Sequence, residues 1–278
     1  MMFDTHTHTT MSTDGKMTAE EAIGAARSLG LGIIFTEHYD ADSPDNDYDF
    51  RVDVPRYMSE YERYRSDDTL LGIEVGLTHL SAKRNAETIA KGDFDFVLGS
   101  VHMIGLTDIY LDLTHSENPT ITKEDYLEYV LRMVRENDDY DAFGHIDYPS
   151  RYFAKNAPDL AAGGPVSDAR PDGKYSDPEM DYHEFKDIYD PILRTLAEKE
   201  KPLELNTRRL KRGTALKNTA EILKAYKNSG GRLVTIGSDA HYTHIVGENF
   251  GAAIAMAREL SLTPVYFRNR KIVRIPGV

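Results

Sequence analysis

A parallel α/β barrel of seven strand–helix units is the fold this sequence predicts, and three observations predict it. Short apolar runs alternate with longer amphipathic segments along the chain. The longer segments open on helix-start signals. Histidines and acidic residues recur where the apolar runs end, the face on which a parallel barrel carries its chemistry. A doubly wound open sheet gives a similar string of elements, and the strand-end residues favour the barrel.

In order, the predicted strands are MFDTHTH at 2–8, LGIIFTEH at 31–38, LLGIEVGLT at 70–78, FDFVLGSVHMI at 94–104, DAFGHIDY at 141–148, PLELNT at 202–207 and RLVTIGSDAH at 232–241. The predicted helices follow them at 18–29, 55–65, 81–91, 122–137, 181–199, 218–229 and 248–260. In the first helix Thr18 and Glu21 fit a capping box, each side chain satisfying the other's backbone donor. Residues 154–180 are rich in Gly, Pro, Asp and Ser and read as a lid or ornament. From 263 to 278 the chain reads as a final structural hairpin or extended strand, with basic residues around Arg268 to Lys271.

At 278 residues the chain suits one large domain spanning 1–278. No apolar run approaches the roughly 18 residues of a membrane span, and the N-terminus lacks a signal-peptide pattern, so a soluble cytoplasmic protein is expected. The absence of cysteine excludes disulfides, thiolate zinc sites and cysteine nucleophiles. A net charge of −13 argues against holding nucleic acid through its phosphates. A small anionic substrate stays compatible with that charge if bound divalent ions supply local positive charge.

Six of the ten histidines fall at or just after a predicted strand end: His6, His8, His38, His102, His145 and His241. His6 and His8, two apart on one strand, face the same way and can share a metal. Asp14 follows in the next loop, Glu74 interrupts an apolar strand, and Asp239 ends another. A buried carboxylate costs several kcal/mol without a cationic partner, and a metal is the economical one. Nine nitrogen or oxygen ligands suit two or three ions with a bridging carboxylate. Zinc, iron and manganese all fit such donors. His79, His115, His183 and His244 are left outside the site.

HTHTT with STDG, TEH, GIEVG, GSVH, GHID and GSDAH, in this order, resemble the PHP (polymerase and histidinol phosphatase) family. The resemblance implies a distorted (β/α)7 barrel of the PHP type and a trinuclear site. It implies one ion on His6, His8, Glu74 and Asp239, a second on Glu74, His102 and His145, and a third on Asp14, His38 and His241. The family often has His where this chain has Asp14, which should alter the charge and metal preference of the third position. FDFVLGSVHMI, AFGHIDYPSRY, PLELNTRRL and VTIGSDAH followed by VGENFGAAIAMARELS resemble the members that hydrolyse L-histidinol phosphate in histidine biosynthesis.

That resemblance implies attack by metal-bound hydroxide, with His6, His8, Glu74 and Asp239 at the catalytic centre and no covalent intermediate. Arg151 and Arg208 are the candidate phosphate-binding residues. Other readings remain: a PHP phosphoesterase for another small phosphate ester or nucleotide, a non-catalytic metal-binding module, or an amidohydrolase. No predicted strand ends in the bridging lysine usual in the last of these. Oligomeric state is not legible.

Overall fold

The structure, a computed structural model, describes residues 1–43, 49–153, 179–211 and 213–275. Its elements run β1 (Phe3–Thr7), α1 (Ala19–Ser28), β2 (Gly32–Tyr39), α2 (Val54–Tyr61), β3 (Thr69–Gly76), α3 (Ala82–Ile89) and β4 (Phe96–Ser100). A two-stranded ribbon, β5 (Met103–Ile104) and β6 (Thr107–Asp108), leads to α4 (Ile109–His115) and α5 (Lys123–Glu136). Then follow β7 (Ala142–Phe143), α6 (Lys186–Glu198), β8 (Leu203–Asn206), α7 (Gly213–Asn228), β9 (Leu233–Gly237), α8 (Phe250–Glu259), β10 (Thr263–Arg268) and β11 (Lys271–Arg274).

The first seven strands of the order β1-β2-β3-β4-β7-β8-β9-β10-β11 are parallel. They close into a barrel because the chain past β9 returns to β1: Thr7 bridges Ala240, His8 N donates to Ala240 O at 2.8 Å, and Asp239 N donates to His6 O at 2.8 Å. A period of two sorts each strand's side chains. On β2 and β3, Ile33, Phe35, Leu71 and Ile73 face outward into the layer shared with the helices. Ile34 and Leu70 face the barrel interior, where they join Phe96, Leu98 and Phe267. Two and four residues further along the same inward rows come Thr36 with His38, and Gly72 with Glu74. One barrel interior is thus greasy at the bottom and carries the candidate ligands at the top.

The C-terminal hairpin closes that bottom. Phe267 stacks on Phe96 with centroids 5.2 Å apart, and Tyr266 on Phe3 at 4.2 Å. Its two-residue turn holds Asn269 and Arg270 at φ 50° and 58°, the geometry of a tight hairpin turn. Asn269 N donates to Asp95 Oδ1 at 3.0 Å, and Arg270 Nε pairs with Asp141 Oδ1 at 3.0 Å. Phe267→Ala is expected to cost about 3 kcal/mol, read as a lower urea midpoint at unchanged slope. An unchanged midpoint would show that the hairpin is not part of the barrel core.

Several expectations differ in detail. The strand expected over 94–104 stops at Ser100, because the chain turns after it to deliver His102 and then forms the β5–β6 ribbon. Helix α4, capped by Asp108, was not anticipated; its seven residues are too few to show a period. Helix α6 starts at Lys186, five residues after the expected Asp181, whose side chain caps a turn by accepting from His183 N and Glu184 N. Helix α7 starts at Gly213, five residues earlier than expected. The capping box on α1 forms, with Glu21 N donating to Thr18 Oγ1 at 3.2 Å and Thr18 N to Glu21 Oε2 at 2.8 Å. Of the loop expected at 154–180, residues 154–178 lie outside the described residues. No described helix is long and apolar enough to cross a membrane.

Candidate metal centre

The strand register assembles the site. β2 and β3 pair so that His38 lies beside Glu74. Between its pairings at Asp4 and Thr7, β1 has one residue more than β2, a bulge at Thr5 and His6 of the kind that re-aims side chains next to active sites. Asp239 sits at φ 54°, a left-handed conformation that Asp tolerates better than most residues, so the chain bends sharply off β9. That bend turns its carboxylate toward the imidazoles of His6 and His8.

His6 Nε2 and His8 Nε2 face each other at 3.0 Å. Glu74 Oε2 lies 3.3 and 3.6 Å from these two nitrogens, and Asp239 Oδ1 lies 3.6 and 3.4 Å from them. A tetrahedral ion with bonds of about 2.0–2.1 Å sets its ligand atoms about 3.3 Å apart. These five separations therefore already stand near the edge lengths of such a polyhedron. The other Glu74 oxygen, Oε1, forms a second set with His145 Nε2 at 2.9 Å and His102 Nε2 at 3.3 Å, the two nitrogens being 3.4 Å apart. A third set is looser and more open: Asp14 Oδ2 lies 2.8 Å from His241 Nε2, and Asp14 Oδ1 3.6 Å from His38 Nε2. His8 stacks between His38 and His241, with centroids 4.0 and 4.4 Å away.

Electrostatics and orphaned atoms test whether divalent ions fit. Burial pushes the Glu74 carboxyl up, yet His6, His102 and His38 outweigh it and hold the group well below its usual range. Burial, then the charges of His38 and His241, push His8 well down, keeping it in the neutral form a metal requires. Glu74 Oε2 accepts no well-aligned hydrogen bond among the described residues, although His38 Nδ1 stands 2.9 Å away. Asp14 Oδ1 is likewise without a donor among them. Lone pairs converge here with too few aligned protons, and the donors are all imidazole nitrogen and carboxylate oxygen. Zinc, iron or manganese fits this set.

Around the candidate ligands stands a layer of carboxylates that sequence reasoning missed. Asp40 faces His102 Nδ1 from 3.0 Å, so the ring's Nε2 is left for the cluster. Gly76 makes room for it, since a Cβ there would lie 1.7 Å from Asp40 Oδ1. Glu204 faces His6 Nδ1 from 2.7 Å. Glu37 accepts from Thr9 Oγ1 at 2.7 Å and Ser12 Oγ at 2.5 Å, bracing the loop that leads to Asp14. The signal that singled out Glu74, an acid inside an apolar strand, is present in FTEH for Glu37 and PLELN for Glu204 and could have found both.

A cavity of about 440 Å³ opens over the cluster, and its lining includes Asp14, His102, Asp239, Arg151 and Arg208. Arg151 Nη1 is 2.5 Å from Asp239 Oδ2, and Arg208 Nη1 donates to the Asp239 carbonyl at 2.8 Å. Both candidate phosphate-binding arginines thus reach the wall beside the ligands. The four histidines left outside the site lie apart from it: His79 Nδ1 pairs with Tyr129 Oη at 3.0 Å, His115 Nδ1 with Thr114 Oγ1 at 2.7 Å, and His183 Nε2 lies 3.8 Å from Glu221. His244, three residues beyond His241, is exposed in a short turn.

Comparison with known proteins places this geometry. The chain is 39% identical over 271 residues to a probable histidinol-phosphatase of Clostridium acetobutylicum, covering 97% of this chain and 98% of that protein. It is 32% identical over 247 residues to a histidinol-phosphatase of Lactococcus lactis subsp. lactis, covering 86% of this chain and 83% of that protein. The crystal structure of histidinol phosphate phosphatase from Lactococcus lactis subsp. lactis, complexed with zinc, L-histidinol and phosphate, superposes with a TM-score of 0.81 at 28% identity over 98% of both chains. The family profile described as PHP domain matches residues 4–208, from the first ligand strand to the second arginine. With three-quarters of its length under that profile and a relative at 39% identity matched over 98% of that relative's length, this chain belongs to the PHP domain family.

Proposed function

We propose that this protein is a histidinol-phosphatase, hydrolysing L-histidinol phosphate to L-histidinol and phosphate on two or three divalent transition-metal ions. The observation that carries the reading is the juxtaposition of a buried imidazole–carboxylate cluster with two arginines in one cavity, in a chain that runs the full length of a relative named probable histidinol-phosphatase. Zinc, present in the related Lactococcus structure, is the first metal to test; iron and manganese suit the same donors. The chain acts as one phosphoesterase domain, 1–278, in the cytoplasm on a small phosphate ester.

His6, His8, Glu74 and Asp239 would hold one ion, Glu74, His102 and His145 a second, and Asp14, His38 and His241 a third. When bound, such ions supply positive charge for phosphoryl oxygens and make water acidic enough to react near neutral pH. The chain's own part is to place and neutralise the ester. Arg208 spends one donor on the Asp239 carbonyl, and its guanidinium has others for phosphate oxygens. Arg151, held by Asp239 and by Asn206 Oδ1 at 3.4 Å, adds a fixed positive charge on the same wall. Tyr110, Tyr148 and Tyr152 form an aromatic side to the cavity, suited to a flat imidazole ring. Asp108 lines it too and offers countercharge to the substrate's ammonium.

The test is phosphate release by metal-reconstituted protein from L-histidinol phosphate, beside nucleotide and sugar phosphates, with His8→Ala as control. Selective release that the control loses supports the assignment. Activity confined to other esters would reassign the substrate, and no release despite bound metal would overturn the phosphatase reading. Arg208→Ala is expected to lower kcat/KM by roughly 10- to 100-fold, the worth of a charge-assisted hydrogen bond. Unchanged kinetics would remove Arg208 from phosphate binding.

A further inference from the structure

Glu204 is buried on β8 and touches both inner ligand sets without belonging to either. Its Oε1 lies 2.7 Å from His6 Nδ1. Since His6 Nε2 points at His8, Glu74 and Asp239, the ring proton belongs on Nδ1, where Glu204 accepts it. Its Oε2 accepts the backbone N–H of His145 at 2.7 Å, fixing the turn that aims the His145 ring at Glu74 Oε1, and a bond from Asn206 Nδ2 at 3.1 Å. The neighbouring strand leaves space for this carboxylate: a Cβ on Gly237 would stand 2.4 Å from Glu204 Oε1 and equally close to His6 Cβ.

We propose that Glu204 is a positioning residue that couples the two inner metal subsites, one oxygen orienting His6 of the first and the other holding His145 of the second. The proposal rests on the metal-centre reading given above. It concerns two subsites only, because among the described residues Glu204 bonds to His6, His145 and Asn206 and not to Asp14, His38 or His241. Glutamine at this position has the same shape but must turn an NH2 toward either the His6 Nδ1–H or the His145 N–H. One of the two contacts then becomes donor against donor, and the other weakens because a neutral amide oxygen replaces the carboxylate.

The experiment strips wild type, Glu204→Gln and Glu204→Ala with chelator, titrates each with Zn²⁺ against a competing chromophoric chelator, and records Tm with and without zinc. Losing the partner of a metal-bound histidine typically weakens binding 10- to 100-fold. In the Gln variant two zinc ions are expected to weaken together by that factor, and the Tm gained on zinc loading to shrink. A purely structural role would instead lower the stripped and loaded Tm alike with zinc affinities unchanged, and that result overturns the proposal. Weakening of one ion alone overturns the coupling. If Glu204→Ala does not fold, the Gln variant decides. Failure of wild type itself to take up zinc would sink the metal-centre reading and the coupling with it, a pattern distinct from a defect confined to the variants.

Discussion

Glu74→Gln is expected to lose two bound ions and to reduce kcat/KM by roughly 10⁴-fold, the scale on which removal of a central catalytic group acts. The two carboxylate oxygens serve different partners. Oε2 faces His6, His8 and His38 at 3.3, 3.6 and 2.9 Å, while Oε1 faces His145 and His102 and accepts from Ser100 Oγ at 2.6 Å. A neutral amide of the same shape leaves both clusters of imidazoles without their common anion and turns an NH2 toward one of them. The barrel should still fold, since Glu74 sits on β3, whose outward row of Leu71, Ile73 and Val75 packs under the helices unchanged. Metal content measured by plasma emission and circular dichroism of the same sample separate the two effects. A Gln variant with wild-type metal content and activity within tenfold would refute the bridging role.

How much of this was legible follows from what each strand needs. The inward row of β3 must end in something other than hydrocarbon where the barrel opens, so Glu74 announced itself as a charged residue in an apolar run. His6 and His8 were legible as a pair for the same periodic reason, and Asp239 with His241 because GSDAH closes an apolar strand. Their distances were not legible. They depend on the bulge at Thr5 and His6, on the left-handed turn at Asp239 and on the closure of β1 against Ala240, all long-range events that leave no local pattern. Asp40 and Glu204 were less legible because they stand behind the histidines and not among the candidate ligands, although carboxylates behind metal-binding histidines follow from the need to fix the ring proton. The bottom of the barrel was half legible. The final hairpin was expected, but its role as a plug needs the contacts of Phe267 with Phe96 and of Arg270 with Asp141, over 129 residues or more.

Removal of metal should lower Tm by roughly 15 °C near neutral pH, and the loss should grow as pH rises. An ion at about 1,000 times its Kd contributes about 4 kcal/mol, and a chain of this size shifts by about 2 °C per kcal/mol, so two ions account for that figure. The pH dependence comes from what the imidazoles do once the ions are gone. Burial alone would lower His102, but Asp40 and Glu74 outweigh it and raise it to about 10. His6 and His38 are likewise raised well above the usual imidazole value, against burial, by Glu74 and by Glu204 or Asp14. These groups hold protons in the stripped folded protein that the unfolded chain releases near pH 6.5, so their stabilisation is complete below that pH and is lost as pH climbs toward about 10. Ions compete with those protons and bind more tightly as pH rises. The gap in Tm between zinc-loaded and chelator-treated protein should therefore be narrow at pH 6 and widest near pH 9. Scanning calorimetry of both forms across that range measures it directly. A gap that stays constant or narrows with rising pH would mean that the buried imidazoles are not the groups the metals displace protons from.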